Sequence, residues 1–423
     1  MALSRIWSAF IVIAIVVASF KCFVLGNSQI FSWMVIGKAG DPANPLKLDG
    51  IIETCWVSVE ICLRLVGVLA LFIGLMSIAE RAGGIRLLAR IVGPFFSKLF
   101  PDLPHGHPAM GHMIMNFAAN LLGLDNAATP FGLKAMESLQ EINPHKDTAS
   151  NSQIMFLCLH AAGLNLIPVS VIAVRASNNA SNPTDIFIPC LIVTFVGTLA
   201  AMLMVSFKQK INVFQPVVII WVTGISAVIV LLVLYISTLN AAGIQLFSGV
   251  LSNGIILLVF LLVVLGGVYK KIDVFDAFVT GAKNGFETAI RIIPYLVGIL
   301  VAVSMLRTSG TFDVVINGMK SFFALFGSDT RFVDGLPTAL IRPLSGGAAR
   351  GMMVSTMTTY GADSFASRLS GILQGASDTT FYVIAVYFGA VSVKNTRYTI
   401  SVMLLADLVG IITSVIMAYL FFG

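Results

Sequence analysis

Long apolar stretches recur along the chain, most of them about as long as a bilayer is thick. A helix needs roughly twenty apolar residues to cross the hydrocarbon core. That length is met near residues 6–25, 54–79, 153–174, 186–207, 214–239, 247–269, 289–306, 371–393 and 398–422. Two further stretches are apolar but interrupted. Residues 110–133 are broken by Asn116, Asn120, Asp125, Asn126 and Pro130, and residues 337–359 by Arg342, Pro343, Ser345, Gly346, Gly347 and Arg350. The pattern predicts an all-α integral membrane protein that crosses the bilayer many times.

The loop charges orient these elements. Arg81, Arg86, Arg90 and Lys98 crowd one connection, and Lys208 and Lys210 a second. Lys270, Lys271 and Lys283 mark a third, Lys394 and Arg397 a fourth. Cytoplasmic connections carry the excess of Lys and Arg. All four can be cytoplasmic only if both interrupted stretches enter and leave on one side, so both are read as re-entrant or hairpin elements. Irregular backbone at membrane depth is tolerated only where protein buries it or an aqueous cavity meets it. The reading therefore already points to a pathway. Near the start, Arg5 precedes an apolar run, and Phe20-Lys21-Cys22-Phe23 offers no small-residue cleavage site. An uncleaved first helix with a cytoplasmic N-terminus is expected.

The chain also repeats itself. Val59-Glu60-Ile61-Cys62-Leu63-Arg64 matches Phe286-Glu287-Thr288-Ala289-Ile290-Arg291. In the same register Ser77 meets Ser304, Gly83 meets Gly310, Phe95-Phe96 meets Phe322-Phe323 and Asp102 meets Asp329. An odd number of spans between the two Glu-x-x-x-Arg motifs inverts one half relative to the other. The basic helix after Gly84 (Arg86, Arg90, Lys98) and its counterpart after Thr311, with only Asp313 and Lys320, would then lie on opposite interfaces. The fold expected is two related, inverted repeats, each with a broken or re-entrant element, an arrangement typical of secondary transporters.

Composition supports a lipid setting and removes other classes. Of the 423 residues 57% are hydrophobic and 11% charged, against about 25% charged in a soluble domain. The net charge of +6 flanks apolar segments rather than forming a basic domain, so no nucleic-acid partner is expected. Cys22, Cys55, Cys62, Cys158 and Cys190 form no C-x-x-C pair and read as thiols that behave as small hydrophobes. His105, His107 and His112 cluster without a nearby cysteine or carboxylate pair, so no metal site is expected. No G-x-S-x-G, H-E-x-x-H or phosphate-loop pattern occurs, and neither an enzyme nor a cofactor is expected.

Candidate chemistry gathers at the interruptions. Asn116, Asn120, Asp125, Asn126 and Thr129 surround a Gly/Pro break whose side chains can bind a polar ligand in place of freed backbone groups. Arg342, Ser345 and Arg350 flank a turn with free N–H groups that suits an anion. A guanidinium at membrane depth needs a partner, and Asp363 and Asp378 are the acids available in this half. Gln374, Ser377, Asp378 and Thr379 face a counterpart cluster with His160 and Asn165, and Asp378 is a candidate for proton or cation coupling. The repeated pairs Glu60/Arg64 and Glu287/Arg291 read as structural i,i+4 contacts.

Asn120-Leu-Leu-Gly-Leu-Asp-Asn-Ala-Ala-Thr-Pro-Phe-Gly132 resembles the signature of bacterial spore maturation protein A. Arg342-Pro-Leu-Ser-Gly346 and Ser377-Asp-Thr-Thr-Phe-Tyr-Val-Ile-Ala-Val-Tyr-Phe-Gly389 resemble spore maturation protein B. The chain thus looks like a fusion of both over nearly its whole length, each half carrying the nucleoside-recognition or Gate domain. The resemblance implies a Gate-type protein of a bacterial inner membrane, linked in spore formers to spore core dehydration. It divides the chain into residues 1–50 (first transmembrane helix and outer loop), 51–210 (first Gate-like repeat), 211–275 (connecting helices) and 276–423 (second Gate-like repeat). The partners expected are the lipid bilayer and a small polar or anionic solute, with a homo-oligomer left open. A permease is the leading reading. A membrane scaffold or regulatory subunit, and an intramembrane lipid- or envelope-modifying enzyme built on His160, Asp125 and Ser345, are the alternatives.

Overall fold

The computed structural model describes residues 2–38, 48–104, 106–121, 125–165, 167–239, 241–325 and 329–423. Two leading helices, α1 (Ala2–Phe23) and α2 (Ile30–Val35), are followed by a two-residue antiparallel pairing of Gly37–Lys38 with Leu48–Asp49. The first half then runs α3 (Ile51–Arg81), α4 (Gly84–Ser97), α5 (Pro108–Leu121), α6 (Asp125–Glu141), α7 (Asn151–Ala162), α8 (Val169–Ser177) and α9 (Phe187–Gln209). Helices α10 (Pro216–Ser237) and α11 (Ala241–Tyr269) connect it to the second half. That half runs α12 (Val274–Ser309), α13 (Thr311–Ala324), α14 (Pro337–Ile341), α15 (Gly346–Tyr360), α16 (Phe365–Gly375), α17 (Thr380–Ala390) and α18 (Thr399–Phe422).

Element order repeats between the halves. Each begins with a long helix that stops at a left-handed glycine, Gly83 (φ 84°) or Gly310 (φ 77°). Only glycine takes that conformation without strain. A 14-residue helix follows in both, α4 and α13. Then come a helical hairpin (α5–α6, α14–α15), an interrupted helix (α7–α8, α16–α17) and a long apolar helix (α9, α18). The predicted hairpins are thus present. The stretches 153–174 and 371–393, expected as single spans, are each two shorter helices.

The long helices α3 and α12 form the most extensive helix pair. Gly281 and Gly285, one turn apart on α12, lie against α3 so closely that a Cβ at 281 would come within 2.6 Å of the Ile73 carbonyl oxygen. A Cβ at 285 would come within 2.7 Å of Ala70 Cα, and Gly74 meets Phe278 in the same way. Two glycines four apart let membrane helices approach backbone to backbone. As α12 ascends from 281 to 285, its neighbours on α3 descend from Ser77 to Ala70, so the pair is antiparallel.

By length and composition alone, Phe187–Gln209, Pro216–Ile236 and Thr399–Phe422 are sufficient to cross a membrane. Pro216–Ile236 keeps most of its apolar surface exposed, as a lipid-facing helix does. The two largest buried apolar clusters draw on both halves: Val171 and Ile192 join Ile372 and Met417, and Phe156 joins Phe388 and Met403.

Contacts also link the four basic connections. Arg81 pairs with Asp276 at 2.8 Å, beside Lys270 and Lys271. Asn151 donates to Asp102, accepts from Arg397 (2.9 Å) at its side chain, and accepts from Gln209 (2.8 Å) at its carbonyl. Nearby, Ala149 N–H donates to Asn395 O, and Lys394 N–H to Asp147 O. The loop entering one interrupted helix is thereby tied to the loop leaving the other. The converse pair of loops is tied by charge. Buried Arg175 ion-pairs with Asp185 (2.9 Å) and Asp363 (3.3 Å), and Arg368 with Asp185 (2.8 Å). Burial pushes Asp185 up, against Arg175 and Arg368. Burial raises Asp363 as well, but the Ser181 N–H and the charges of Arg368 and Arg175 hold it below the usual carboxylate range. Asp363 is therefore spent on Arg175 and Arg368, not on the arginines of the second hairpin to which the sequence offered it.

The glycine contact is testable. Gly281→Leu or Gly285→Leu forces α3 and α12 apart and is expected to destabilise the protein by about 1–3 kcal/mol. Gly224→Leu, where a Cβ meets nothing within 4 Å, serves as the neutral control. Thermal unfolding in detergent reads the difference, and equal midpoints for all three variants would refute the packing argument.

Candidate functional site

The two interrupted helices break for local reasons and then fit each other. Gly163 closes α7 in the left-handed region (φ 57°), and Pro168, which has no N–H, precedes α8. In the second half the gap covers residues 376–379 between α16 and α17. Helix α16 packs on α8, with Gly371 facing Val171 and Arg175 and Gly375 facing Val171 and Cys190. Helix α17 packs on α7, where the Tyr387 ring meets His160 edge-on at 4.9 Å and Phe156 at 6.3 Å. The two helices run antiparallel, so their gaps coincide. There Asp378 N–H donates to Ala161 O (2.7 Å), and Asp378 Oδ1 accepts from Thr379 N–H (2.6 Å).

Both hairpins reach the same place. In the first, Asn116 Nδ2 on α5 donates to Ala128 O on α6 (2.7 Å), which fixes the antiparallel pairing. Its turn at 122–124 and the side chains of Asp125 and Asn126 lie outside the described residues. In the second, Ser345 caps α15 by accepting from Ala348 N–H, and Pro343 O accepts from Phe381 N–H at 3.0 Å. Arg342 donates to Thr379 Oγ1 (3.0 Å) and to Ser377 O. Its fork therefore holds the gap of α16–α17 open through a carbonyl and a hydroxyl rather than through Asp378. A Cβ at Gly346 would sit 2.8 Å from Thr379 Oγ1 and 2.9 Å from Arg342 Nη1, so a side chain there would displace the clamp.

Where these elements meet lies a cavity of about 610 Å³. The first hairpin contributes Asn120 and Thr129, the second Arg342, Ser345 and Arg350. One gap adds His160 and Asn165, the other Gln374, Ser377, Asp378 and Thr379. Apart from Asn116, Asp125 and Asn126, every residue that the sequence singled out for the solute lines this one space. Asn116 stands behind it, 3.0 Å from His160 Nδ1.

His160 is buried and held at Nδ1 by two carboxamides. Nδ1 lies 3.0 Å from Asn116 Oδ1 and 2.8 Å from Asn120 Nδ2, while Nε2 faces Asp378 at 3.8 Å. One tautomer donates to Asn116 and the other accepts from Asn120. Two acceptors on the lining, Asn165 Oδ1 and Gln374 Oε1, are buried without a hydrogen-bond partner among the described residues. Among the described residues the lining carries two guanidiniums and one carboxylate, and the N-terminal ends of α8, α15 and α17 open on the same space. Helix N-termini and guanidiniums both favour an anion.

Asp407 escaped the sequence reading. It is buried on α18 and accepts from Thr380 Oγ1 at 2.6 Å, directly behind the second gap. The signal was available, because a lone acid inside a membrane-length apolar stretch is functional or paired by default. Tyr382 and Tyr387 also line the cavity but were quoted only as part of a motif. The histidine cluster goes elsewhere: His107 Nδ1 accepts from Ala109 N–H, His112 meets Ser138, and His105 lies outside the described residues. So do the side chains of Arg64 and Arg291. The cysteines are all free, and Cys62, Cys158 and Cys190 are buried.

The nucleoside recognition (Gate) family matches the chain twice, over residues 62–178 and 289–394, together more than half its length. Spore maturation protein B of Bacillus subtilis (strain 168) is 46% identical over 161 residues, which is 38% of this chain and 89% of that protein. Spore maturation protein A of the same organism is 43% identical over 155 residues, 37% of this chain and 79% of that protein. No solved structure matches.

The clamp generates a prediction. Lysine offers a point charge without a fork, so Arg342→Lys cannot reach Ser377 O and Thr379 Oγ1 together. Losing one charge-assisted hydrogen bond is expected to cost about 1.5–3 kcal/mol, measured as unfolding free energy in detergent. An unchanged value would show that the gap stays open without the fork.

Proposed function

The chain belongs to the nucleoside recognition (Gate) family of membrane proteins, and on that footing we propose that it is a permease that binds a small anionic or polar solute in the central cavity. The observation that carries this reading is the convergence of two helix gaps and residues of both hairpins on one polar space whose described lining carries two guanidiniums and one carboxylate. A secondary transporter needs such a site at a repeat interface near mid-membrane. The antiparallel packing of α3 on α12, and of each interrupted helix on its counterpart, supports halves inverted across the bilayer.

Alternating access then follows from the two ties between interrupted helices. One end is closed by the Arg175–Asp185–Asp363–Arg368 cluster, the other by the backbone contacts among Asp147, Ala149, Lys394 and Asn395. Releasing one while the other holds would expose the cavity to a single side. Asp378, facing His160, is the group we assign to ion coupling. The two relatives are bacterial proteins, which supports a bacterial inner membrane. A scaffold without a ligand leaves the buried acceptors of Asn165 and Gln374 unexplained, since such atoms are ordinarily partnered.

Purified protein in liposomes, offered inorganic phosphate, small carboxylates and nucleosides, is expected to take up at least one anion. Arg350→Gln, confirmed folded, should weaken that solute's binding by about 10- to 100-fold, the worth of a charge-assisted contact. The reading fails if no compound on this panel binds or crosses.

A further inference from the structure

A second, smaller cavity touches the first. It holds about 90 Å³ between α4, α5, α7, α9 and α10, and its walls are almost wholly apolar. Phe96, Phe117, Leu159, Leu199 and Val222 are among its sides. Asn120 and Gly163 belong to both cavities, so the two spaces share a wall. At that wall Asn120 presents its amide to His160, and Gly163 adds no side chain, a Cβ there lying 3.5 Å from Asp378 N.

The far side of the crevice is formed by Trp221, Val222 and Ile225 of α10. That helix otherwise presents its apolar residues outward, as Ile220 and Val228 do. The crevice thus lies between the polar cavity and the surface that lipid covers. An apolar cavity stays dry and accepts an apolar group, whereas the polar cavity prefers a negative charge. One molecule can satisfy both only if it carries both kinds of surface.

We infer that the solute is a small amphiphile: an anionic head group held by Arg342, Arg350 and the helix N-termini, with a short alkyl chain or ring seated in the crevice. This rests on the anion site proposed above and narrows it. Neither a bare inorganic ion nor a fully polar solute would use the crevice. Burying each methylene contributes roughly 0.8 kcal/mol, which converts to about fourfold in affinity.

The test uses the full chain in lipid nanodiscs and isothermal titration with inorganic phosphate, methyl phosphate, butyl phosphate and hexyl phosphate. Hexylammonium reports chain partitioning without the anion. Affinity is expected to rise about fourfold per methylene until the crevice is full, with no matching signal from hexylammonium. Val222→Phe and, independently, Leu199→Phe fill the crevice without touching the polar cavity. Both should bind inorganic phosphate as the wild type does and show a flat series. The inference is overturned if the wild-type series is flat while inorganic phosphate binds, or if it stays equally steep in both filled variants. Absence of binding by all four phosphates would overturn this inference, and the anion site falls with it only if the small carboxylates of the uptake panel fail as well.

Discussion

A helix interrupted inside a membrane releases backbone donors and acceptors where the bilayer offers none. Each such group left unsatisfied costs several kcal/mol. The rest of this architecture depends on how that demand is met. At the meeting of the two gaps one freed pair is satisfied across the halves, Asp378 N–H taking the Ala161 carbonyl at the end of α7, while within the second half Phe381 N–H takes the Pro343 carbonyl of the hairpin. Arg342 takes the Ser377 carbonyl. Neither interrupted helix is satisfied by its own half alone.

From this follows the intimacy of the two repeats. Their largest apolar clusters are shared, and the glycines of α12 draw it against α3 without intervening side chains. A rigid seam between halves fixes the gaps in register. The ties at the two ends differ in kind. The cluster around Arg175 withdraws charges from water, and such a cluster breaks at high cost once a single partner is lost. The opposite tie is made largely of backbone hydrogen bonds between two loops, each worth about 1 kcal/mol net.

How far this was legible in the sequence depends on what set each feature. Hairpins were legible because Pro343 and the clustered glycines oppose a continuous helix, and because the basic connections required an even return; Pro130, also counted as a breaker, lies inside α6. The shared cavity was legible residue by residue, since polar groups such as Asn120, Gln374 and Ser377 have no reason to stand in apolar stretches unless they face one another. The breaks at Gly163–Pro168 and 376–379 lie within stretches that the hydropathy pattern predicts as single spans. Hydropathy averages over such short gaps, and it is the antiparallel neighbour that makes a full break tolerable. Pairing was least legible. Asp363 stands only 13 positions after Arg350 in sequence, yet it joins Arg175, 188 positions away. Proximity along the chain says little about partners that belong to different repeats. Asp407 was missed because it sits in a stretch otherwise well suited to lipid, where a single polar position hardly lowers the average.

His160 bears on the choice between moving a solute and transforming one. A buried histidine 3.8 Å from a carboxylate, in a cavity bordered by an apolar crevice, invites comparison with a hydrolytic site. In such a site one ring nitrogen faces the acid and the other faces the nucleophile. Here the nitrogen opposite Asp378 is engaged by two carboxamides, Asn116 and Asn120, and neither is a nucleophile. What that geometry does allow is exchange of tautomer. With Nδ1 protonated the ring donates to Asn116 and turns a lone pair toward Asp378; with Nδ1 bare it accepts from Asn120 and turns N–H toward Asp378. The acid therefore meets either a donor or an acceptor, according to which amide the ring engages. Asn120 itself lines both the polar cavity and the apolar crevice. A solute that draws Asn120 away would bias the ring toward Asn116. A ring whose tautomer answers to an amide on the cavity lining fits the binding role proposed above better than a hydrolytic one.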